Sequence, residues 1–340
     1  MLDKKILFAS ADEHGCGWYR TKLIADYLEE AHVWFFPAHK NEEGNFILQD
    51  QRLFDADIIV IQRHAHEFFL EAIPQLQSLG KKVVYDIDDN LWNISASNPS
   101  HTYFPPKELK KMKTIIGLCD YMTVSTEPLK EYFLKNSFHT KITVIPNMLP
   151  DVLEYREKNN EKVRIGYAGS PTHRGDFSHY LCNALRDIKR KRDVELIFFG
   201  FNPIKGAECE FHTGVPVAEY LTTLDNLNLD IAIAPLADTL FNQGKSNLKY
   251  IEYSAIGLPT IASKVYPYDE TIAHDRTGII VSNEKHWYKA IEELVIDDKV
   301  RTSIGQNARE WVQKNLTYKY NGQLIKDRWE ALIKDMYDIH

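Results

Sequence analysis

Apolar residues along this chain fall into two alternating rhythms: short unbroken runs, and longer stretches with a helical beat. Lys5-Ile6-Leu7-Phe8-Ala9 predicts a buried strand, and Trp18 to Glu30 the helix that follows it. Asp57 to Gln62, Lys82 to Asp86, Tyr121 to Ser125 and Ile142 to Ile145 predict further strands. Between them, 67–79, 106–119 and 127–135 carry helical spacing, and Pro146-Asn147 is a stop. Residues 151–162 are almost all polar or charged, which predicts a linker. The alternation then restarts, with strands at 163–168, 194–199, 229–234 and 278–281. Helices are predicted at 176–190 and 286–295, a short helical turn at 216–224, and two closing helices at 299–315 and 320–337. Strands alternating with helices twice over predict an α/β protein with two Rossmann-like domains facing a central cleft.

Composition narrows the class. A chain of 340 residues has room for two ordinary domains, and 44% apolar with 26% charged residues is globular. No apolar run approaches the roughly 20 residues of a membrane span, so no stable membrane insertion is expected. Lys4 and Lys5 lead straight into the first strand, which argues against a signal peptide. The four cysteines lack metal-ligand spacing, which makes a reduced cytoplasm the expected compartment. A net charge of −7 disfavours a broad nucleic-acid surface.

Candidate chemistry concentrates in Gly244 to Ser263: a polar glycine turn, a helix about three turns long, a Gly-Leu-Pro break and a short apolar strand. Ser246 or Asn247 is placed to cap the helix, with Lys245 beside a helix start that favours anions. Lys249 and Glu252 share one helix face, offering a cation and a carboxylate to one ligand. Gly15-Cys16-Gly17-Trp18-Tyr19-Arg20 follows the first strand; Gly17 would let backbone approach a ligand, and Arg20 would meet an anion. A third glycine is missing, so the dinucleotide fingerprint fails. Asp86, Asp88 and Asp89 crowd one strand end and repel one another, so a cation, a hydroxyl or water must hold them. Such residues fit a metal site, a phosphatase aspartate pair or a wall of an active site. His64 and His66 follow another strand end and are candidate acceptor contacts. Trp92, Tyr103 and Phe104 are candidates for a stacking wall.

Ile145-Pro146-Asn147, Tyr167-Ala168-Gly169-Ser170 and the Lys249…Glu252…Gly257-Leu258-Pro259 segment together resemble retaining GT-B glycosyltransferases of the large family 4. The resemblance implies that 163–317 holds a UDP- or GDP-linked sugar as substrate, while 1–150 holds the acceptor. It also implies that a C-terminal helix within 318–340 returns to the first domain. No cofactor or metal is expected. Glu252 matches the family's ribose-binding carboxylate, but the paired carboxylate is replaced by Gly244. Backbone amides of Gly244 to Asn247 are expected to stand in for it. Lys249 is implied for phosphate. Gly169, Ser170 and His173 are placed near the donor, and Arg174 is placed to neutralise the departing diphosphate. Asp88 or Asp89 stands where the family has a sugar-contacting histidine. The implied activity is retaining, metal-independent transfer to a hydroxyl of a saccharide, glycolipid, protein or modified nucleobase. A sugar-nucleotide epimerase and a non-catalytic nucleotide-sugar binder are the alternatives. Hinge motion is expected about 151–162 and near 316.

Overall fold

The computed structural model describes residues 4–28, 33–36 and 51–337. Its first sheet is wholly parallel and contains β1 (Ile6–Ala9), β2 (Val33–Phe36), β3 (Ile58–Gln62), β4 (Lys82–Ile87), β5 (Tyr121–Val124) and β6 (Ile142–Val144). Their spatial order is β2-β1-β3-β4-β5-β6. The second sheet holds β7 (Val163–Ala168), β8 (Val194–Phe199), β9 (Glu210–His212), β10 (Ile231–Ala234), β11 (Thr260–Ser263) and β12 (Ile279–Val281). Its order, β12-β11-β10-β7-β8-β9, is the doubly wound arrangement of dinucleotide-binding folds. The α/β class and the two Rossmann-like units agree with the alternation in the sequence.

Continuous apolar runs form these strands because both sheet faces are covered. In β1, Leu7 and Ala9 pack against helices Phe68–Ser78 and Pro106–Leu118, whereas Ile6 and Phe8 face the opposite way. That second face joins a cluster that continues into the other half through Tyr250, Tyr253 and Leu258. A third cluster lies under the second sheet, covered by helices His179–Lys191 and Trp287–Ile296.

The polypeptide passes between the two halves twice, at neighbouring points. Leu149 bridges Thr317, the Leu149 amide donates to Leu316 O at 3.0 Å, and the Tyr318 amide donates to Leu149 O at 2.8 Å. The final helix, Gln323–Met336, then lies on the first sheet, with Trp329 edge-on to Phe8 at 5.3 Å between ring centroids.

Several elements differ from expectation. β2 and β9 are edge strands with one partner each, and β9 is too polar and exposed to give an apolar run. The turn expected at 216–224 is a full helix, Val217–Asn226. The helix after β1 begins at Gly15 and runs to Leu28, with a wider π turn over Trp18–Lys22. The last two residues of the predicted Trp18–Glu30 helix lie outside the described residues, as do 338–340 at the chain end. The closing helix expected at 320–337 is broken at Gly322.

Candidate functional site

Open parallel sheets bind ligands at the carboxyl ends of strands, where the winding direction reverses. Here the reversals fall between β1 and β3 and between β7 and β10. The loops after those strands face one another across a cleft of about 590 Å³. A smaller chamber of about 230 Å³ adjoins it, and both are lined by Arg63, Asp89, Thr172, His173 and Lys245.

The wall from the first half starts with Arg63, just past β3, held at φ 54° in the left-handed region that side chains rarely adopt. Its guanidinium pairs with Asp12 and lies 3.2 Å from Cys16 Sγ. Asp12 also accepts from the amides of His14 (2.9 Å) and Gly17 (3.1 Å), which fixes the loop after β1. Asp88 and Asp89 follow β4 and both reach the cleft. Asp88 Oδ1 is buried without a hydrogen-bond partner among the described residues. Burial, then the charge of Asp89, pushes the Asp88 carboxyl up to about 6. Burial also acts on Asp89, but Lys245 Nζ at 3.0 Å outweighs it and holds that carboxyl below its ordinary value.

On the opposite wall, helix Leu248–Ala255 presents Lys249 and Glu252 as its spacing predicts. Lys249 Nζ donates to Ala168 O at 2.9 Å, and burial lowers its amine to about 8. A Cβ at Gly169 would lie 2.6 Å from that nitrogen, so the glycine is what lets the lysine reach the strand end. Glu252 is buried and accepts from Tyr19 OH of the first half at 2.7 Å. Burial raises its pKa, against the pull of Lys249. His173 Nδ1 lies 2.7 Å from Asp176 Oδ2, and burial, then the charge of Lys249, lowers the imidazole to about 4. His173 is therefore neutral at pH 7. Ser170 lines the cleft from an exposed position.

Other expected site residues sit elsewhere. Arg20 is fully buried in the first half, bound to both oxygens of Asp86 (3.1 and 2.6 Å) and to Asn147 Oδ1 at 3.0 Å. It is closed off from any ligand by its own partners. Gly17 is also structural: a Cβ there would lie 1.9 Å from Asp12 O. Arg174 is exposed and lies over the Phe201 ring at 5.6 Å, outside the residues lining either chamber. His64 is buried 4.9 Å from the Phe69 ring, while exposed His66 accepts from the Phe68 amide at 3.1 Å; neither lines the cleft. Trp92 packs edge-on against Phe133 and Phe138 in the core beneath the first sheet. Of the proposed stacking wall, only Phe104 reaches the smaller chamber; Tyr103 is exposed outside it.

The segment around Gly244 also differs from expectation. Its helix is eight residues long, nearer two turns than three, and neither Ser246 nor Asn247 caps it through a side chain. Asn247 bonds Thr271 at 3.2 Å, while Ser246 lines the cleft and accepts from Asn147 at 2.9 Å. Two of the amides expected to bind phosphate are already used, Gly244 N by Phe241 O and Lys245 N by Asn242 O. A Cβ at Gly244 would lie 3.3 Å from both Asn90 and Leu129 of the first half, and Thr126 bonds its carbonyl at 2.8 Å. The glycine is a close-contact point between halves, with little room for a carboxylate.

Arg63, Tyr19, Asp12 and Asp176 are the site groups that sequence reading passed over. None of them carries a motif; Arg63 gains its place only from the strand order that sets β3 beside β1. Cys16, Asp88 and Asp89 bring three potential metal ligands within 4.8 Å of one another. Arg63 and Lys245 already supply positive charge at that cluster.

Two facing doubly wound units, joined by a shared apolar cluster and a returning helix, define a GT-B glycosyltransferase fold. The chain superposes with a TM-score of 0.70 on sucrose-phosphate synthase from Thermosynechococcus elongatus, at 14% identity, covering 98% of this chain and 100% of that one. Anabaena Alr3699/HepE in complex with UDP-glucose gives a TM-score of 0.67 at 12% identity, covering 96% and 100%. Residues 162–297 match the family model for glycosyl transferases group 1. The capsular polysaccharide biosynthesis glycosyltransferase CapM of Staphylococcus aureus is 27% identical over 203 residues, 54% of this chain and 48% of CapM. A GDP-mannose-dependent alpha-(1-6)-phosphatidylinositol monomannoside mannosyltransferase of Mycobacterium tuberculosis is 27% identical over 147 residues, 39% and 38% of the two chains. The chain thus spans half or less of the length of these curated relatives. Among the described residues, no helix is long and apolar enough to cross a membrane.

Proposed function

We propose that this chain moves a sugar from a nucleotide-sugar to an acceptor hydroxyl with retention of configuration and without a metal ion. The observation that carries the reading is the convergence of Lys245, Lys249 and Glu252 on one cleft at the switch points of both sheets. The second unit, 163–317, holds the donor, and the first presents the acceptor. Glu252 accepts from the ribose hydroxyls in the place where Tyr19 now donates. Lys249, with Lys245, stabilises the charge that grows on the leaving diphosphate, a task a metal ion performs elsewhere. The bond from the anomeric carbon to the phosphate oxygen breaks as the bond to the acceptor oxygen forms on the same face. The acceptor proton passes to the departing phosphate oxygen. The solved neighbour in complex with UDP-glucose supports a nucleotide-sugar donor. Four free cysteines fit a cytoplasmic setting.

The test is nucleoside diphosphate release from a panel of UDP- and GDP-sugars, with and without chelator, and the anomeric configuration of the product read by NMR. Release that survives chelation and gives a retained product supports the proposal. Dependence on a divalent ion or inversion overturns the corresponding part. Gly244, which packs between halves where a carboxylate was expected, favours one rival, a binder that never turns over. Calorimetric binding of a nucleotide-sugar with no release under any condition would establish it.

A further inference from the structure

The acceptor contacts expected at His64, His66 and Trp92 are packed or turned away, so the acceptor must lie elsewhere. The smaller chamber meets the cleft at Asp89, Lys245, Arg63, Thr172 and His173, and its remaining wall comes from both halves.

Its chemistry is specific. Every charged group on its wall already has a partner. Arg63 is paired with Asp12, Lys245 with Asp89, and Asp176 with His173 and with Asn242 Nδ2 at 2.7 Å. Arg63 is held by Asp12, and Lys245, where it leaves Asp89, is taken by the donor diphosphate, so a phosphorylated or carboxylated acceptor finds no spare cation on this wall. What the wall offers instead is uncharged hydroxyls and an amide: Ser95, Ser97, Asn98, Ser100, Thr172 and Thr239. Each hydroxyl can both donate and accept, so capacity remains beyond contacts such as Ser95–Ser97 at 2.9 Å. Asn98 Nδ2 donates to Thr172 O at 3.1 Å and fixes the serine-rich segment against the second half. Phe104 and Phe241 add apolar surface suited to the C–H face of a sugar ring.

We infer that this chamber is the acceptor subsite and that it takes a neutral saccharide. The inference rests on the larger cleft being the donor site. At the junction, a saccharide hydroxyl oxygen bonds the donor's anomeric carbon while the carbon–phosphate-oxygen bond breaks, and its proton leaves on the diphosphate. Lys245 and Asp89 stand at that junction as a bridge between halves, so they can orient the incoming hydroxyl.

Saturation-transfer NMR on the full chain tests this, with methyl α-D-glucopyranoside, methyl α-D-mannopyranoside and methyl α-D-galactopyranoside as neutral probes. Glucose 6-phosphate and a short-chain phosphatidylinositol provide the charged and lipid arms. Ser97→Trp at the exposed mouth of the chamber is the blocking variant. At least one neutral glycoside is expected to bind, and to bind about tenfold more weakly in Ser97→Trp. No signal from any neutral glycoside, saturation by the phosphate or lipid probe alone, or glycoside binding unchanged in Ser97→Trp overturns it. UDP and GDP binding, measured separately by calorimetry, distinguishes this failure from failure of the donor site, since the glycoside signal is read without nucleotide.

Discussion

Two cation–carboxylate pairs are anchored at the end of β4, one by Asp86 within the strand and the other by Asp89 just beyond it. Asp86 holds Arg20 with both oxygens, accepts from Thr123 at 2.8 Å, and is sealed inside the first half. Asp89 holds Lys245 of the second half and lines both chambers. Residue types hardly distinguish the pairs; depth does. A strand position is covered on both faces and uses its charge to fix neighbouring loops, while the loop position beyond it opens on the cleft. Asp86 and Arg20 thereby orient Asn147, which in turn reaches Ser246. The sealed pair sets the geometry in which the open pair works.

Breaking the sealed pair has the largest expected effect. Arg20→Ala leaves Asp86 charged and buried, and should cost about 3–5 kcal/mol in a urea titration. A loss below about 1 kcal/mol would mean that the pair is solvated and the contrast false. On the open side, Lys249→Ala should lower turnover by roughly 10²–10³-fold with little change in the unfolding midpoint. Unfolding in step with the lost activity would make Lys249 a structural residue. The comparison also has a pH dimension. In the proposed function Lys249 meets the diphosphate as a cation, and burial lowers its amine to about 8. Affinity for UDP or GDP should therefore fall as pH rises above about 8, and stay level over that range in Lys249→Arg.

Asp88 sharpens the contrast further, as a carboxylate with one unbonded oxygen in the open region. Its folded pKa, about 6, lies above the ordinary value, so the folded state holds a proton that the unfolded chain has released. Stability therefore declines as pH climbs from about 4 to 6, by the linkage of proton binding to folding. Thermal melts of Asp88→Asn should lack that decline; an unchanged slope assigns it to another group. Arg174→Ala should be the smallest perturbation, within about 0.5 kcal/mol in stability, with turnover unchanged. A large loss of turnover would return Arg174 to the cleft.

The parts of this contrast legible in the sequence are those with local signatures. Apolar runs and helical spacing gave away the central strands and the helix face shared by Lys249 and Glu252, since both arise from neighbours in sequence. β9 escaped because its edge place lets Glu210 and Phe211 stand exposed, whereas β6 and β12, also at edges, keep apolar runs; β2 is a four-residue apolar run that was simply passed over. Arg20 read as an anion-binding cation because its glycine-flanked loop is local, whereas Asp86, 66 residues away, is not. Arg63 was overlooked for the converse reason. A lone arginine after a strand has no motif, and its value comes from the strand order that puts β3 beside β1. Trp92 and His64 show that aromatic and imidazole groups near a strand end pack inward as readily as they face a cleft.

The route of the chain through its two halves bears on how the molecule is made. β7 to β12 lie in one unbroken stretch, so that unit can close as soon as it has left the ribosome. The first unit emerges earlier, and the helix Gly15–Leu28 covers part of the sheet face carrying Phe8, yet that face is completed only when Trp329 arrives. Synthesis therefore favours an inverted order, in which the later-made unit matures first, against the usual N-terminal precedence. During that interval the part of the early sheet reserved for Trp329 is exposed apolar surface, and chaperone capture of ribosome-bound chains should be greatest just before the helix Gln323–Met336 is released.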